Sequence, residues 1–182
     1  MKRILILAIF AAAAPALAFA QQNAASSANP VSDTVKNMVA QRAKAIIAGA
    51  DEMPADKYSY HPTPDQMTFG HLIMHLAQSN NFLCSAIAGT KPPEQEKLTD
   101  TDPKDKLVAA LKSSFDYCTG VLDKTTDANL GEEVSMFRGQ APRARVMVTL
   151  VADLYDHYSQ EAGYLRMNGL TPPTARGGRG RM

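Results

Sequence analysis

The chain has 182 residues, of which 45% are hydrophobic and 20% are charged, and its formal net charge is +1 at pH 7. This near-neutral balance disfavours a nucleic-acid-binding protein, because such proteins carry an excess of Lys and Arg on a basic face. The length favours a single domain with enough chain to bury a substantial hydrophobic core.

The first 20 residues have the pattern of a secretory signal peptide. Lys2 and Arg3 precede a short apolar run, which ends with the small residues Ala18 and Ala20 at positions −3 and −1 of an expected cleavage site. A retained membrane anchor is the less favoured alternative, because a membrane span needs about 20 apolar residues and neither this run nor any later one is that long. We therefore expect a periplasmic or secreted protein that begins at Gln21, with its net charge lowered from +1 to −1 by the loss of Lys2 and Arg3.

Four segments have the apolar spacing of amphipathic helices, after a flexible lead-in that we expect over residues 21–30. They are separated by prolines and glycines, which end helices and form turns. Four helices of about 20 residues each bury their apolar stripes most economically in a four-helix bundle, so we predict an all-α fold. The predicted helices cover residues 31–52, 65–88, 103–124 and 141–168.

Two further segments are not predicted to be helical. Residues 132–139, between the third and fourth helices, are predicted to form a short extended piece, and no run is long enough to build a sheet. Residues 174–182 are rich in Arg and Gly, so we predict a disordered basic tail after a helical domain that covers residues 31–173. Arg/Gly runs also bind RNA or acidic surfaces, but export disfavours this alternative.

The last predicted helix has ionisable residues on its apolar face. Asp153, His157 and Glu161 repeat every four residues and therefore lie about one turn apart on the same face. Ionisable groups on an inward face are unfavourable unless they are paired or bind a metal ion. In the second predicted helix, His75 lies beside the apolar stripe, whereas His71, one turn earlier, is rotated further toward solvent.

These residues have two interpretations. Two imidazoles and one carboxylate from facing helices of a bundle form a common type of metal site, and such a site leaves coordination positions open for water or substrate. The alternative is structural, with a hydrogen-bonded histidine at the edge of the core, a buried ion pair and a charge at the rim. Spacing alone favours the structural alternative.

Two motifs resemble segments of DinB-like proteins. Residues 65–77, DQMTFGHLIMHLA, resemble their second-helix segment, and residues 156–160, DHYSQ, resemble their last-helix segment. Residues 82–86 and 114–118 resemble an exported branch of the same superfamily. The resemblance covers roughly residues 31–173, and its motifs are moderately specific because each of them is short.

The resemblance implies a bundle in up-down-down-up order, in which the long connection between the second and third helices crosses the bundle. It also implies a divalent-metal site of three histidines, one from the second helix and two, four residues apart, from the last. His75 and His157 match the first and the last of these, whereas Asp153 stands in place of the remaining histidine. We therefore expect His75, Asp153 and His157 to bind Zn, Ni, Mn or Fe, with Glu161 as a general base or as a carboxylate that orients an imidazole.

Cys84 and Cys118 are the two cysteines of the chain. An even number of cysteines in an oxidising compartment permits a disulfide. In the helix order that the resemblance implies, the second and third helices are parallel neighbours with both cysteines toward their C-terminal ends, which predicts a Cys84–Cys118 bridge. The alternative is two separate buried thiols.

The expected function is that of an exported DinB-like protein that binds a divalent metal ion or acts as a metal-dependent enzyme, of transferase or hydrolase type, on a small molecule. The resembled family includes thiol-dependent transferases and isomerases, but no residue in this sequence identifies a thiol cofactor. The alternative is a metal-free helical bundle that binds an apolar ligand or an envelope partner. The oligomeric state is left open, with a homodimer among the options.

Export predicts a defined change in mass. Protein from the periplasmic or secreted fraction should lack residues 1–20, because signal peptidase cleaves after the small residue at position −1. Intact-mass spectrometry of that fraction measures the change, with the cytoplasmic fraction as the control. A full-length mass in the exported fraction would contradict the prediction.

Overall fold

The computed structural model describes residues 27–176 of the chain. Within these residues it has four α-helices and a two-stranded antiparallel hairpin, so the prediction of an all-α four-helix bundle is confirmed. The predicted signal peptide, most of the lead-in and the end of the tail lie outside the described residues. The elements are α1 (Pro30–Glu52), α2 (Phe69–Ala88), α3 (Lys104–Leu122), β1 (Glu133–Met136), β2 (Gly139–Pro142) and α4 (Arg143–Met167).

Helices α2 and α3 run parallel to each other. Asn80 of α2 donates a hydrogen bond to Ser114 of α3 at 3.0 Å, and one turn further along both helices a disulfide joins Cys84 to Cys118. Residue numbers therefore rise in the same direction on both helices. This arrangement requires the connection between them to return along the length of the bundle.

Helix α4 runs antiparallel to α2. Ser79 of α2 donates a hydrogen bond to Asp153 of α4 at 2.7 Å. The hydroxyl of Tyr164, near the end of α4, donates to the backbone oxygen of Met67, just before α2, at 2.9 Å. Residue numbers on α4 therefore rise as those on α2 fall, and the C-terminal half of α4 lies beside the start of α2.

Helix α1 packs against α3 and α4. Its residue Lys36 pairs with Asp123 after the end of α3, and its residue Asp51 pairs with Lys112 at 3.1 Å. These pairs make α1 antiparallel to α3 and therefore parallel to α4. The bundle thus has the up-down-down-up order that the resemblance implied.

None of the helices within residues 27–176 is long and apolar enough to cross a membrane. Apolar side chains from all four helices form the core. Its largest fully buried members on the helices are Ile46, Phe69, Leu72, Ile73, Leu76, Ile87, Leu107, Leu111, Met147, Leu150 and Leu154.

Two helix starts differ from the predicted ones by more than one residue. Helix α2 begins at Phe69, four residues later than predicted, because the side chain of Thr68 caps it by accepting a hydrogen bond from the backbone N–H of His71 at 3.0 Å. Helix α4 begins at Arg143, two residues later than predicted, because residues 139–142 pair with residues 133–136. The predicted extended piece is therefore the first part of a hairpin.

The helical domain was predicted to end at residue 173, and the residues that follow it contact the bundle. The backbone N–H of Thr174 donates a hydrogen bond to the hydroxyl of Tyr158 at 3.1 Å. The guanidinium of Arg176 donates to the backbone oxygen of Thr171 at 3.0 Å and pairs with Glu52. These contacts attach residues 174–176, predicted as the start of a disordered tail, to the bundle.

The structure has a disulfide between Cys84 and Cys118, with Cα atoms 5.3 Å apart and both side chains fully buried. This Cα separation is usual for a disulfide. The two residues are 34 positions apart, so the bridge closes a loop that includes the whole crossover from α2 to α3. It therefore holds the two parallel helices together where no short turn does so.

Loss of this bridge should weaken the fold. Replacement of both cysteines by Ala should lower the free energy of unfolding by about 3–4 kcal/mol, because the unfolded chain regains the entropy of an open loop. Chemical denaturation of the variant and the wild type measures this difference. Thiol titration of the denatured wild type should detect no free thiol before reduction and two after it; two free thiols before reduction would contradict the bridge.

Candidate metal site

Helix α2 carries the first candidate ligand at the edge of its buried face. Leu72, Ile73 and Leu76 are fully buried, and their burial determines how α2 is rotated in the bundle. His75 lies beside them and is half-buried. Its imidazole therefore reaches the groove between α2 and α4 without being enclosed by the core.

Helix α4 carries the other two candidate ligands, Asp153 and His157, one turn apart. Nε2 of His157 lies 3.4 Å from Oδ1 of Asp153, and the imidazole is buried. Because α2 and α4 are antiparallel, His75 meets His157 across the groove, with ring centroids 4.7 Å apart and ring planes at 86°. One ligand atom from each of the three side chains lies within 4.8 Å of the other two. The structure thus brings together the three residues that the sequence predicted.

Neighbouring polar side chains hold two of these ligands in place. The hydroxyl of Ser79 donates a hydrogen bond to Oδ2 of Asp153 at 2.7 Å. Nε2 of Gln160 lies 3.3 Å from Nδ1 of His157, and Oδ2 of Asp156 lies 3.7 Å from the same nitrogen. Ser79 was not among the predicted site residues, although its position four residues after His75 places it on the same face of α2.

The charge states of the site suit metal binding near neutral pH. Burial, together with the nearby His157, lowers the pKa of His75, so its imidazole is neutral and has a lone pair to donate. Burial alone would raise the pKa of Asp153, but hydrogen bonds from His157 and Ser79 outweigh it and the pKa is lowered. The carboxylate is therefore ionised and can neutralise part of the charge of a cation.

His71 is directed away from this site. Its Nδ1 lies 3.7 Å from Oδ2 of Asp100, and 43% of its side chain is exposed. The three ligand atoms of the site come from other residues. This position agrees with the expectation that His71, and not His75, would face solvent, and it makes His71 a control for substitutions at the site.

Glu161 differs from what the sequence led us to expect. Its side chain is fully buried, and neither carboxyl oxygen has a hydrogen-bond partner among residues 27–176. The expected hydrogen bond to an imidazole is therefore not formed. Although Glu161 is one turn from His157 on α4, its carboxyl group lies against α1.

Gly49 of α1 makes the burial of Glu161 possible. A Cβ atom at position 49 would lie 2.8 Å from the carboxyl carbon of Glu161, which is closer than side-chain atoms approach each other. Gly49 was not predicted to matter, because the pattern of α1 alone does not indicate which residue of α4 this glycine faces. Glu161 therefore occupies space that only glycine leaves open.

The three ligand residues fit a divalent transition-metal ion. Imidazole nitrogens and a carboxylate oxygen are the usual ligands of zinc and of the neighbouring ions. The hydrogen bond from Ser79 restrains the carboxylate of Asp153, as hydrogen bonds to metal ligands do in known metal sites. His75 and Asp153 are only half-buried, so one side of the site is open to the groove.

The burial of Glu161 predicts a pH-dependent stability. Burial raises the pKa of this carboxyl well above its usual value. The folded protein keeps its full stability below the pKa that this carboxyl has in the unfolded chain. It loses stability as the pH rises through the raised pKa that the carboxyl has in the folded protein. Relative to Glu161→Gln, which cannot ionise, the wild type should lose about 1.4 kcal/mol of unfolding free energy for each unit by which folding raises the pKa.

Chemical denaturation of both proteins between pH 4.5 and pH 9 measures this difference. Glu94→Gln, at an exposed position, is the matched control. A constant difference between wild type and Glu161→Gln across this range would contradict the prediction.

Comparison with known proteins identifies the family. The sequence model of the DinB superfamily matches residues 38–160 of this chain, a segment that includes His75, Asp153 and His157. No curated protein matches the chain.

Several solved structures share the fold. A DinB-like protein from Bacillus subtilis is 20% identical, with a TM-score of 0.63 over 76% of this chain and 93% of its own. A DinB-like protein from Bacillus cereus is 16% identical, with a TM-score of 0.66 over 78% of this chain and 95% of its own. A mutant of a mycothiol-dependent maleylpyruvate isomerase is 14% identical, with a TM-score of 0.58 over 70% of this chain and 59% of its own. The fold is shared with these proteins, the family match spans most of the bundle, and the chain belongs to the DinB superfamily.

Proposed function

We propose that this protein is an exported metal-binding member of its superfamily in which His75, Asp153 and His157 bind one divalent transition-metal ion. The observation that carries the proposal is the convergence of three ligand atoms from two separate helices to within 4.8 Å of one another. Packing alone does not require two imidazoles and a carboxylate to meet in this way, since each could face solvent from the surface of its helix.

The donor set favours a transition metal over calcium or magnesium. Those harder ions prefer oxygen ligands and bind imidazole poorly. Zinc, nickel, manganese and iron accept both nitrogen and oxygen ligands, and the charge of Asp153 offsets part of their charge. The site is therefore proposed for one of these four ions.

We further propose that the site serves a reaction on a small molecule, either a group transfer or a hydrolysis. Three protein ligands leave coordination positions free, as in catalytic rather than structural zinc sites. A bound ion supplies Lewis acidity and lowers the pKa of a molecule that it coordinates. The protein groups orient the ligands: Ser79 holds Asp153, and Gln160 lies beside Nδ1 of His157.

Two observations support export. The first 20 residues have the signal-peptide pattern. The Cys84–Cys118 disulfide is of the kind that persists in oxidising compartments such as the periplasm and the extracellular space.

Metal uptake by single variants tests the site. Wild-type protein, purified without chelators or an affinity tag, should bind one zinc, nickel, manganese or iron ion per chain in equilibrium dialysis at pH 7.5. His75→Ala or His157→Ala should abolish binding, because two ligands do not hold the ion. Ser79→Ala should weaken it about 10–100-fold, as expected for loss of a contact that orients a ligand.

His71→Ala is the matched control, because His71 lies on the same helix one turn from His75 but pairs with Asp100 instead. It should leave metal uptake unchanged. If the wild type binds none of the four ions, the proposed function is wrong, and a metal-free bundle that binds an apolar ligand or an envelope partner becomes the better account.

A further inference from the structure

Two exposed aromatic rings contact each other at the end of the bundle where the hairpin lies. Phe82 of α2 is 37% exposed, and Phe137, at the tip of the hairpin, is 74% exposed. Their ring centroids are 5.1 Å apart and their planes are inclined by 33°. The pair therefore presents an apolar surface to solvent instead of contributing to the core.

Phe137 also has an unusual backbone conformation. It is the first residue of the two-residue loop between β1 and β2, and its φ is 50°. A positive φ at this position of a hairpin loop is normally provided by glycine, because a large side chain is unfavourable there. An exposed ring at a position that favours glycine gains neither burial nor local stability. Backbone outliers of this kind occur often at functional sites.

The aromatic pair lies on the same side of α2 as the candidate metal site. His75, Ser79 and Phe82 are spaced by four and three residues, so they share one face of the helix. Phe82 is about 10 Å from His75 along the helix axis. Ser79, between them, contacts Asp153 of the site. One face of α2 thus carries His75 and Ser79 of the candidate site and, further along, Phe82 of the aromatic pair.

There is room for a ligand beyond Phe82. A cleft of about 740 Å³ lies between the end of α2 and the hairpin, and its lining includes Phe82, Ala86 and Val134. This volume is in the range of small-molecule sites. A molecule that contacts the rings therefore has space to extend past them.

We propose that the Phe82–Phe137 pair is the specificity subsite of the metal centre and binds the apolar, preferably aromatic, body of its substrate. This inference rests on the proposed function. The substrate class is a molecule with a metal-coordinating head group and an aromatic or aliphatic body that lies about 10 Å from His75 along α2. The head group binds at the open side of the metal site, and the body lies along α2 against the two rings.

A second copy of the chain is a less suitable occupant of this surface. Stable dimers bury about 800 Å² on each partner, and two phenyl rings supply a small part of that area. The position of Phe82 on the face of α2 that carries His75 and Ser79 instead favours a small molecule that spans both.

A pair of probes with the same head group tests the proposal. Zinc-loaded protein is titrated by calorimetry with acetohydroxamate, which has only the metal-binding head, and with 4-phenylbutanohydroxamate, which adds a phenyl ring about 9–10 Å from the ion. The wild type should bind the phenyl probe at least tenfold more tightly, because the ring contacts two aromatic side chains.

Phe82→Ala and Phe137→Gly should each reduce this preference at least threefold and leave the affinities for zinc and acetohydroxamate unchanged. Phe137→Gly should also unfold at the same temperature as the wild type or higher, since glycine suits a positive φ. Val148→Ala is the control, because Val148 is exposed and lies on a side of α4 that does not carry Asp153 or His157. This variant should keep the preference for the phenyl probe.

The outcomes separate this inference from the proposed function. If the wild type binds zinc and acetohydroxamate but shows no preference for the phenyl probe, the inference is wrong and the proposed function stands. If it binds none of zinc, nickel, manganese and iron, both are wrong; if it binds one of these other than zinc, the same titrations are made with that ion. A wild-type dimer in sedimentation that Phe137→Gly converts to a monomer would also overturn the inference, because the rings would then form an interface between copies.

Discussion

The antiparallel packing of α2 against α4 is the constraint on which the candidate site depends. Each helix alone carries only part of the donor set, and the ligand atoms meet because His75 lies opposite His157. This packing follows from the parallel pairing of α2 with α3, which the buried Cys84–Cys118 bridge reinforces. Helix α3 occupies one side of α2 and α4 packs on another. Helix α4 runs in the opposite direction because the chain turns back through the hairpin after the end of α3. The crossover and the disulfide therefore matter to the site although they do not touch it.

Helix α4 buries ionisable groups in two different ways. Asp153 and His157 face α2, where they contact each other and Asp153 accepts a hydrogen bond from Ser79. Glu161 faces α1 and is buried against Gly49 with no hydrogen-bond partner in the described part of the chain. An unpaired buried carboxyl is unfavourable when ionised, so it stays protonated until the pH is well above the usual pKa. One face of α4 thus carries two of the candidate ligands, whereas another carries a group that limits stability at high pH.

In the site that the sequence resemblance implies, Asp153 takes the place of one of three histidines, which would change the electrostatics of a bound divalent ion. Three neutral imidazoles leave the full double charge on a divalent ion, whereas one carboxylate reduces it to a single charge. A less positive ion polarises its ligands less, but an anionic ligand broadens the range of acceptable ions toward manganese and iron. The hydrogen bond from Ser79 draws part of this charge from the carboxylate and limits both effects.

Local sequence patterns determined the fold class, the four helices and the candidate ligands. Helical periodicity depends only on neighbouring residues, so ionisable residues on an apolar face, such as Asp153 and His157, are visible without a structure. Resemblance supplied the helix order, and with it the expected meeting of His75 with His157. Only the tertiary structure decided that Glu161 faces α1 instead of the imidazoles and that the aromatic hairpin tip lies at the end of α2. These features depend on contacts between residues far apart in the chain, and the periodicity of one helix does not specify which side chains of another helix it will meet.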